Sequence, residues 1–400
     1  MNPILKLLVF VAVFAVFNQC KKEDSDVESI HDKNFLQLLI QKGIDTNEDG
    51  NINSTEAEAV TFLNISFGSL TDVSGIGLFT NLDSLDCSNN SLSSLDVSRN
   101  LKLVYLNCSS NNLSELDVSN NKLLSDLWCA NNQIPVLDIS KNVSLKSLLC
   151  SGNQLTDLNV SNNTALQTLW CGPNNLTNLD LSNCLALKSL QTSDNKLLAN
   201  LDLSKNLSLQ SLMCVNQPIR TLNLANHYAL SGLDCYGDSL EQLDLTGDTS
   251  LIHLSCQYTK IASLDLSSCT NLEFFWCRGC KLKSIDISRA IKLKDLWCSE
   301  NQLANLDISK NVDLVSLTCD NNMLKSLDVS NNASLLYLIC GSNQMTSLDI
   351  SHNTLLGYLN IYNMLLLQKV CTWILPFPPS SIEVVSNGSP NVYYSTDCSK

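Results

Sequence analysis

The sequence predicts a repeat β-solenoid of about fourteen to fifteen coils, and three observations carry that prediction. Cysteine recurs every 21 residues, at 87, 108, 129, 150 and 171 and again at 214, 235, 256, 277, 298, 319 and 340. Around these positions one unit returns, L-x-x-L-x-C-x-x-N-x-L-x-x-L-D-[VIL]-S-x-N-x-x, as in Leu103 to Asn121. Its apolar places stand two apart, Leu106 with Cys108 and Leu116 with Val118. Side chains two apart in a strand share a face, so each half of the unit reads as a short strand with one buried side. A single coil cannot bury that side alone, whereas stacked coils bury a continuous core.

Each element follows in order along the chain. Thr192 and Ile361 fill the places that cysteine leaves, and one inserted residue near Leu198 to Asn200 explains the phase step between the two runs. That makes fourteen coils from Cys87 to Ile361, with a less regular one at Leu63 and Ile65. The solenoid is assigned to 63–365 and a short closing cap to 366–400. Four hundred residues exceed one ordinary compact core and suit an array. With 44% hydrophobic and 16% charged residues the chain is not a disordered one. A net charge of −14 argues against nucleic acid, because phosphate is repelled.

These residues resemble the leucine-rich-repeat family, in particular its short bacterial class, whose 21-residue unit nests two similar halves. The resemblance implies a parallel β-sheet on one side of the solenoid and extended or strand structure on the other. It also places the ladder cysteines where the family buries leucine or cysteine, so they are expected to be reduced core thiols acting as small hydrophobes. Parallel Cβ vectors along such a ladder are poor geometry for bridging. Cys184, Cys269 and Cys280 replace Asn at turn positions and read as packing. Cys371 and Cys398 lie beyond the repeat and are expected to pair in a disulfide that closes the C-terminal segment.

The first residues read as an export signal. Lys6 precedes an apolar run from Leu7 to Phe17, too short to span a bilayer, and Cys20 follows at once. This resembles a bacterial lipoprotein lipobox, with Gln19 departing from the small residue expected before the cysteine. Lys21, Lys22, Glu23, Asp24, Ser25 and Asp26 resemble a surface-export tether. A signal peptide is assigned to 1–19 and a tether to 20–32, with Cys20 as the lipidation site and the outer membrane or cell surface as location. The lipid anchor is the only membrane contact expected, and the chain is expected to be a monomer.

Between tether and repeat, Asp45, Asn47, Asp49, Asn51, Asn53 and Glu56 fill the ligand positions of an EF-hand loop, with Gly50 at the tight turn. A helix is expected to enter through Phe35 to Ile40 and another to leave over Thr55 to Leu63, running straight into the first coil. The segment 33–62 is thus expected to be a small helical cap holding one structural calcium ion. Three charged ligands imply weak binding, suited to extracellular calcium.

Function has to be read from the outward columns. The column just before the ladder cysteine holds Trp128, Leu149, Trp170, Trp276 and Trp297, and so four of the five tryptophans. Two clusters are expected to form a ligand-binding face, Trp128 with Leu149 and Trp170, and Tyr236 with His253, Phe274, Trp276, Arg278 and Trp297. Aromatic cross-strand pairing needs no ligand, yet exposed aromatic surface marks contact sites. The opposite column is acidic, from Asp96 to Asp349, and local hydrogen bonds to backbone N–H groups are expected to hold it. The four histidines are scattered, and neither a catalytic triad nor a phosphate loop is visible, so the chain is not expected to be an enzyme. The expected role is a surface-anchored adhesion protein recognising a protein or host-surface partner, as in bacterial internalin-like proteins. A glycan-binding lipoprotein and a passive envelope spacer are the alternatives.

Overall fold

The computed structural model describes residues 30–237 and 239–398. Cys20 and the signal and tether sequence ahead of it lie outside the described residues. A single sheet of sixteen parallel three-residue strands runs from Phe62–Asn64 to Glu383–Val385. Between the first and last pairs, which are offset by 22 and 25, partners are offset by 21 residues, Tyr105 with Asp126 and Phe274 with Asp295, because each coil adds one strand. The offset grows to 22 between Ser189 and Ser211, where the inserted residue enters. In nearly every strand the middle residue is buried and its neighbours face outward; Phe275 takes the usual leucine place.

The chain leaves most strands of the main sheet through a left-handed residue two places after the ladder position, as at Asn131, Glu300 and Asn321. Two asparagine columns then tie coil to coil. Asn132 donates its amide to the carbonyls of Cys108 and Cys129 at 3.0 and 3.1 Å and accepts from the Leu113 N–H at 3.0 Å. Asn142, in the second column, donates to Val118 and Asn121, both at 2.9 Å, and its own carbonyl oxygen is unpartnered. The buried column of thiols fills the space between.

Both columns lapse in the same stretch. Gln217, Thr259 and Cys280 replace the first asparagine, and His227, Asp248, Cys269 and Ala290 replace the second. The replacements keep part of the bonding: Gln217 donates to Thr192 at 2.6 Å, and Thr259 to Cys256 at 2.8 Å.

Helix Lys33–Gln41 opens the described chain, with Asp32 accepting the Phe35 N–H as its N-cap at 2.8 Å. Its buried face, Phe35 and Leu39, closes the first end of the solenoid core. The second helix spans only Ser54–Glu58, started by a capping box between Asn53 and Glu56. It does not extend to Leu63, because Leu63 is the buried centre of the first strand, paired with Leu85. Residues 366–398 close the other end by adding strands, Lys369–Cys371, Glu383–Val385 and Tyr393–Ser395. Cys371 and Cys398 are joined in a disulfide across a Cα–Cα distance of 5.6 Å, and Phe377 packs between Trp373 and Tyr394.

Candidate binding face

The outward residues of the main sheet form one continuous surface, and strand register decides which rings meet. Three of the four tryptophans lie over the next strand. Trp128 donates its indole N–H to Ser147 at 3.3 Å, Trp170 to Ser189 at 3.1 Å and Trp276 to Asp295 at 3.2 Å. The rings are therefore held by the sheet, with edges and outer faces open. Trp170 is the most open of the four at 44%.

The first cluster is a row. Trp128, Leu149 and Trp170 are register partners on consecutive strands, and Tyr105 meets Trp128 edge-on at 5.2 Å. The second is a stack. Trp276 and Trp297 lie nearly parallel with centroids 4.8 Å apart, and His253 points its edge into Trp276 at 4.7 Å. Phe274 stands 6.4 Å from His253 on the neighbouring strand. His253 Nε2 also lies 3.0 Å from an Asp234 carboxylate oxygen. Arg278 is not part of this stack. It donates to Glu300 at 2.6 Å and covers the Tyr258 ring at 5.8 Å, one column away. Tyr236 shares that outer column and joins neither group of rings.

Beside the stack is an open hollow of about 530 Å³, lined by Ser211, Ser231, Gly232, Ile252, His253, Phe274 and Trp276. The sequence reading singled out only the last three. The missing signal was Gly232, a residue without a side chain in a column that otherwise carries one.

On the opposite column, Asp96, Asp117, Asp138 and their successors each accept the N–H of the residue two places on, at 2.8 to 3.0 Å. The Ser98 hydroxyl and N–H hold Asp96 below the usual carboxylate range, and the Ser119 N–H does so for Asp117. The row of like charges is thus met by local donors.

In the Asp45–Glu56 loop Gly50 is left-handed at φ 81°. Asp45 accepts from Asp49 and Gly50 N–H, and Asn47 from Asp49 N–H. Glu56 accepts from Thr46, Asn47 and Asn53 N–H, and the Asn53 bond above all keeps its carboxyl below the ordinary range. These oxygen donors fit a hard cation in type and order. Their carboxylates are turned onto the loop's own N–H groups. Among the described residues only Asp349, Cys371 and Cys398 bring three candidate ligand atoms within 4.8 Å, and two of those are the disulfide.

The ladder thiols are buried and unreactive in character: burial pushes Cys129, Cys171 and Cys340 up to about 12. Cys280 is the exception. It sits at a turn outside the ladder, where its thiol donates to the Cys256 carbonyl at 3.1 Å and meets the Thr259 hydroxyl at 3.3 Å. Native protein is expected to resist maleimide at every ladder cysteine until denaturant loosens the coils. Mass mapping of labelled peptides checks this; labelling of Cys129 or Cys319 in the native protein would show that burial does not protect the ladder.

No protein-family model matches the chain, and no curated protein sequence does. Solved structures do. The functional domain of InlJ from Listeria monocytogenes, described as including a cysteine ladder, superposes with a TM-score of 0.76 at 34% identity, covering 80% of this chain and 70% of that one. A leucine-rich-repeat protein of Leptospira interrogans matches with a TM-score of 0.62 at 21% identity, over 77% of this chain and 91% of that one. The leucine-rich effector YopM of Yersinia pestis gives 0.62 at 23%, over 82% and 89%. The last two show the leucine-rich-repeat fold alone. Identity of 34% over four-fifths of the chain, on a shared ladder of cysteines, shows that the chain belongs to the InlJ-type family of bacterial leucine-rich-repeat proteins.

Proposed function

We propose that this chain is an exported, surface-anchored protein that binds a protein partner on the aromatic side of its main sheet. The observation that carries the reading is the aromatic face itself. Four of five tryptophans stand outward on one sheet, where the buried fold has no use for them. Aromatic rings fixed by a rigid sheet bind at low entropic cost and are enriched among interface hot spots. Kinship with InlJ supports recognition rather than chemistry as the role.

The test is a binding comparison on host-protein and glycan arrays between the native chain and variants with Trp128, Trp170, Trp276 and Trp297 changed to Ala. Retention of a protein partner by the native chain, with at least a tenfold loss in one or more variants, is the expected outcome. Binding confined to glycans would replace the reading with carbohydrate recognition. Absence of any partner would leave an envelope spacer.

Lys6, the apolar run after it and Cys20 support lipid anchoring, with the solenoid held outside the cell. Replacement of Cys20 by Ala is expected to release the protein into the medium. Calcium is assigned to the Asp45–Glu56 loop, where it would stiffen the cap that covers the first coil. EDTA is expected to lower the midpoint of thermal unfolding, and calcium to restore it; an unchanged midpoint removes the ion from the account.

A further inference from the structure

Gly232 occupies the first outward place of strand Gly232–Asp234, and nothing in the fold asks for glycine there. Its φ is not left-handed, and a Cβ built on it would meet no atom within 4 Å. Glycine weakens a strand that has no bulge or close approach to accommodate. Its effect here is to leave the hollow open, since Ser211 and His253, its register partners, stand on either side. Ile252, 42% exposed, forms one wall, and Phe274, Trp276 and His253 form the other.

The charges around the hollow are unequal. Lys294 pairs with Glu273 at 2.7 Å and Arg278 with Glu300 at 2.6 Å, so those four cancel. Asp234 and Asp295 remain, bonded to ring nitrogens of His253 and Trp276. An apolar hollow flanked by two carboxylates that meet no Lys or Arg, one of them bonded only to the His253 ring, on a chain of net charge −14, favours a basic partner. Aromatic walls add attraction for Lys and Arg through their π faces.

We infer that the hollow at Gly232 receives one large apolar or aromatic side chain from a protein segment bearing Lys or Arg beside it, with Asp234 and Asp295 facing those cations. This rests on the protein-binding reading above and names the point where it acts. The filled hollow would be the centre of the interface, sealed from water by Ile252, Phe274 and the tryptophan stack.

A displayed library of random short peptides, selected on the full exported chain, tests it. Enriched peptides are expected to share Phe, Tyr, Trp or Leu next to Lys or Arg. Gly232→Phe, which fills the hollow, should weaken them at least about 30-fold, the scale of a hot-spot loss. Gly232→Ala, which only narrows the hollow by one methyl, should weaken them less than Gly232→Phe does, and Asp234→Asn with Asp295→Asn should abolish the preference for Lys and Arg. Thermal unfolding of each variant separates lost binding from lost fold. Peptides that survive Gly232→Phe but are lost in Trp128→Ala or Trp170→Ala would overturn the inference while keeping the aromatic face as the binding surface. Peptides indifferent to every substitution on the face, or no enrichment at all, would overturn both. Acidic peptides lost in Gly232→Phe would overturn the assignment of a basic partner.

Discussion

Asp248→Asn is expected to stabilise the protein by roughly 2–3 kcal/mol at neutral pH and to flatten its stability between about pH 4 and 6. Asp248 is wholly buried in the column that elsewhere holds asparagine. One carboxylate oxygen accepts the His227 N–H at 2.9 Å, and the other has no partner. Burial pushes its carboxyl up to about 6, and the His227 bond opposes that only in part. A carboxyl whose folded value lies above its unfolded one keeps its proton in the native state while the unfolded chain has lost it. Stability therefore falls as pH rises through that window and stays low above it. Asparagine removes the titration and restores the amide donor that neighbouring coils use, as Asn206 does toward Leu181 and Cys184 at 3.1 and 2.9 Å. Urea melts at pH 4.5 and 7.5 check both halves. Equal loss of stability with rising pH in the variant and the parent would show that Asp248 is not the titrating group.

The neighbouring His227 explains why this coil departs from the pattern at two successive places. Its ring nitrogens face the carbonyls of Leu224 at 2.7 Å and Leu203 at 3.2 Å. A neutral imidazole has one N–H and can satisfy one of them; the amide of an asparagine has two. That the ladder lapses at 227, 248, 269 and 290 was visible in the sequence as a change of letter. What the change does was not, because the second carbonyl facing the His227 ring, that of Leu203, comes from 24 places away.

The same distinction runs through the face. The tryptophan column could be read directly, since a fixed period turns sequence position into spatial column. Ring geometry could not: Trp276 stacks on Trp297 while Arg278, two residues on, turns away to Glu300. The hollow was invisible for a related reason. It is made by an absence, Gly232, set between walls from two further strands. The early end of the second helix, expected to run to Leu63, also escaped the sequence reading. Helical preference over Ala57 to Val60 continues past Glu58, and only the demand that Leu63 enter the sheet ends it.

The two asparagine columns look alike in sequence, and their unequal cost on replacement is the sharpest test of this account. Asn132→Leu is expected to destabilise the solenoid by about 3 kcal/mol, and Asn142→Leu by only about 1–2 kcal/mol. Both amides donate to two carbonyls, and in both cases those carbonyls keep a second donor: Cys108 retains Asn111 at 3.1 Å and Cys129 retains Asn153 at 3.0 Å, while Val118 retains the Asn121 N–H at 3.0 Å and Asn121 the Leu124 N–H at 3.1 Å. The difference lies in the acceptor. Asn132 Oδ1 takes the N–H of Leu113, which has no other partner in its coil and is buried. Asn142 Oδ1 takes nothing. Leucine at 132 therefore leaves a buried N–H unpaired, whose desolvation alone costs about 1–3 kcal/mol, and leucine at 142 leaves none. Chemical unfolding of the two variants side by side measures the gap. Equal losses, or a larger one at 142, would mean that the amide acceptor contributes nothing and that the columns act by packing alone.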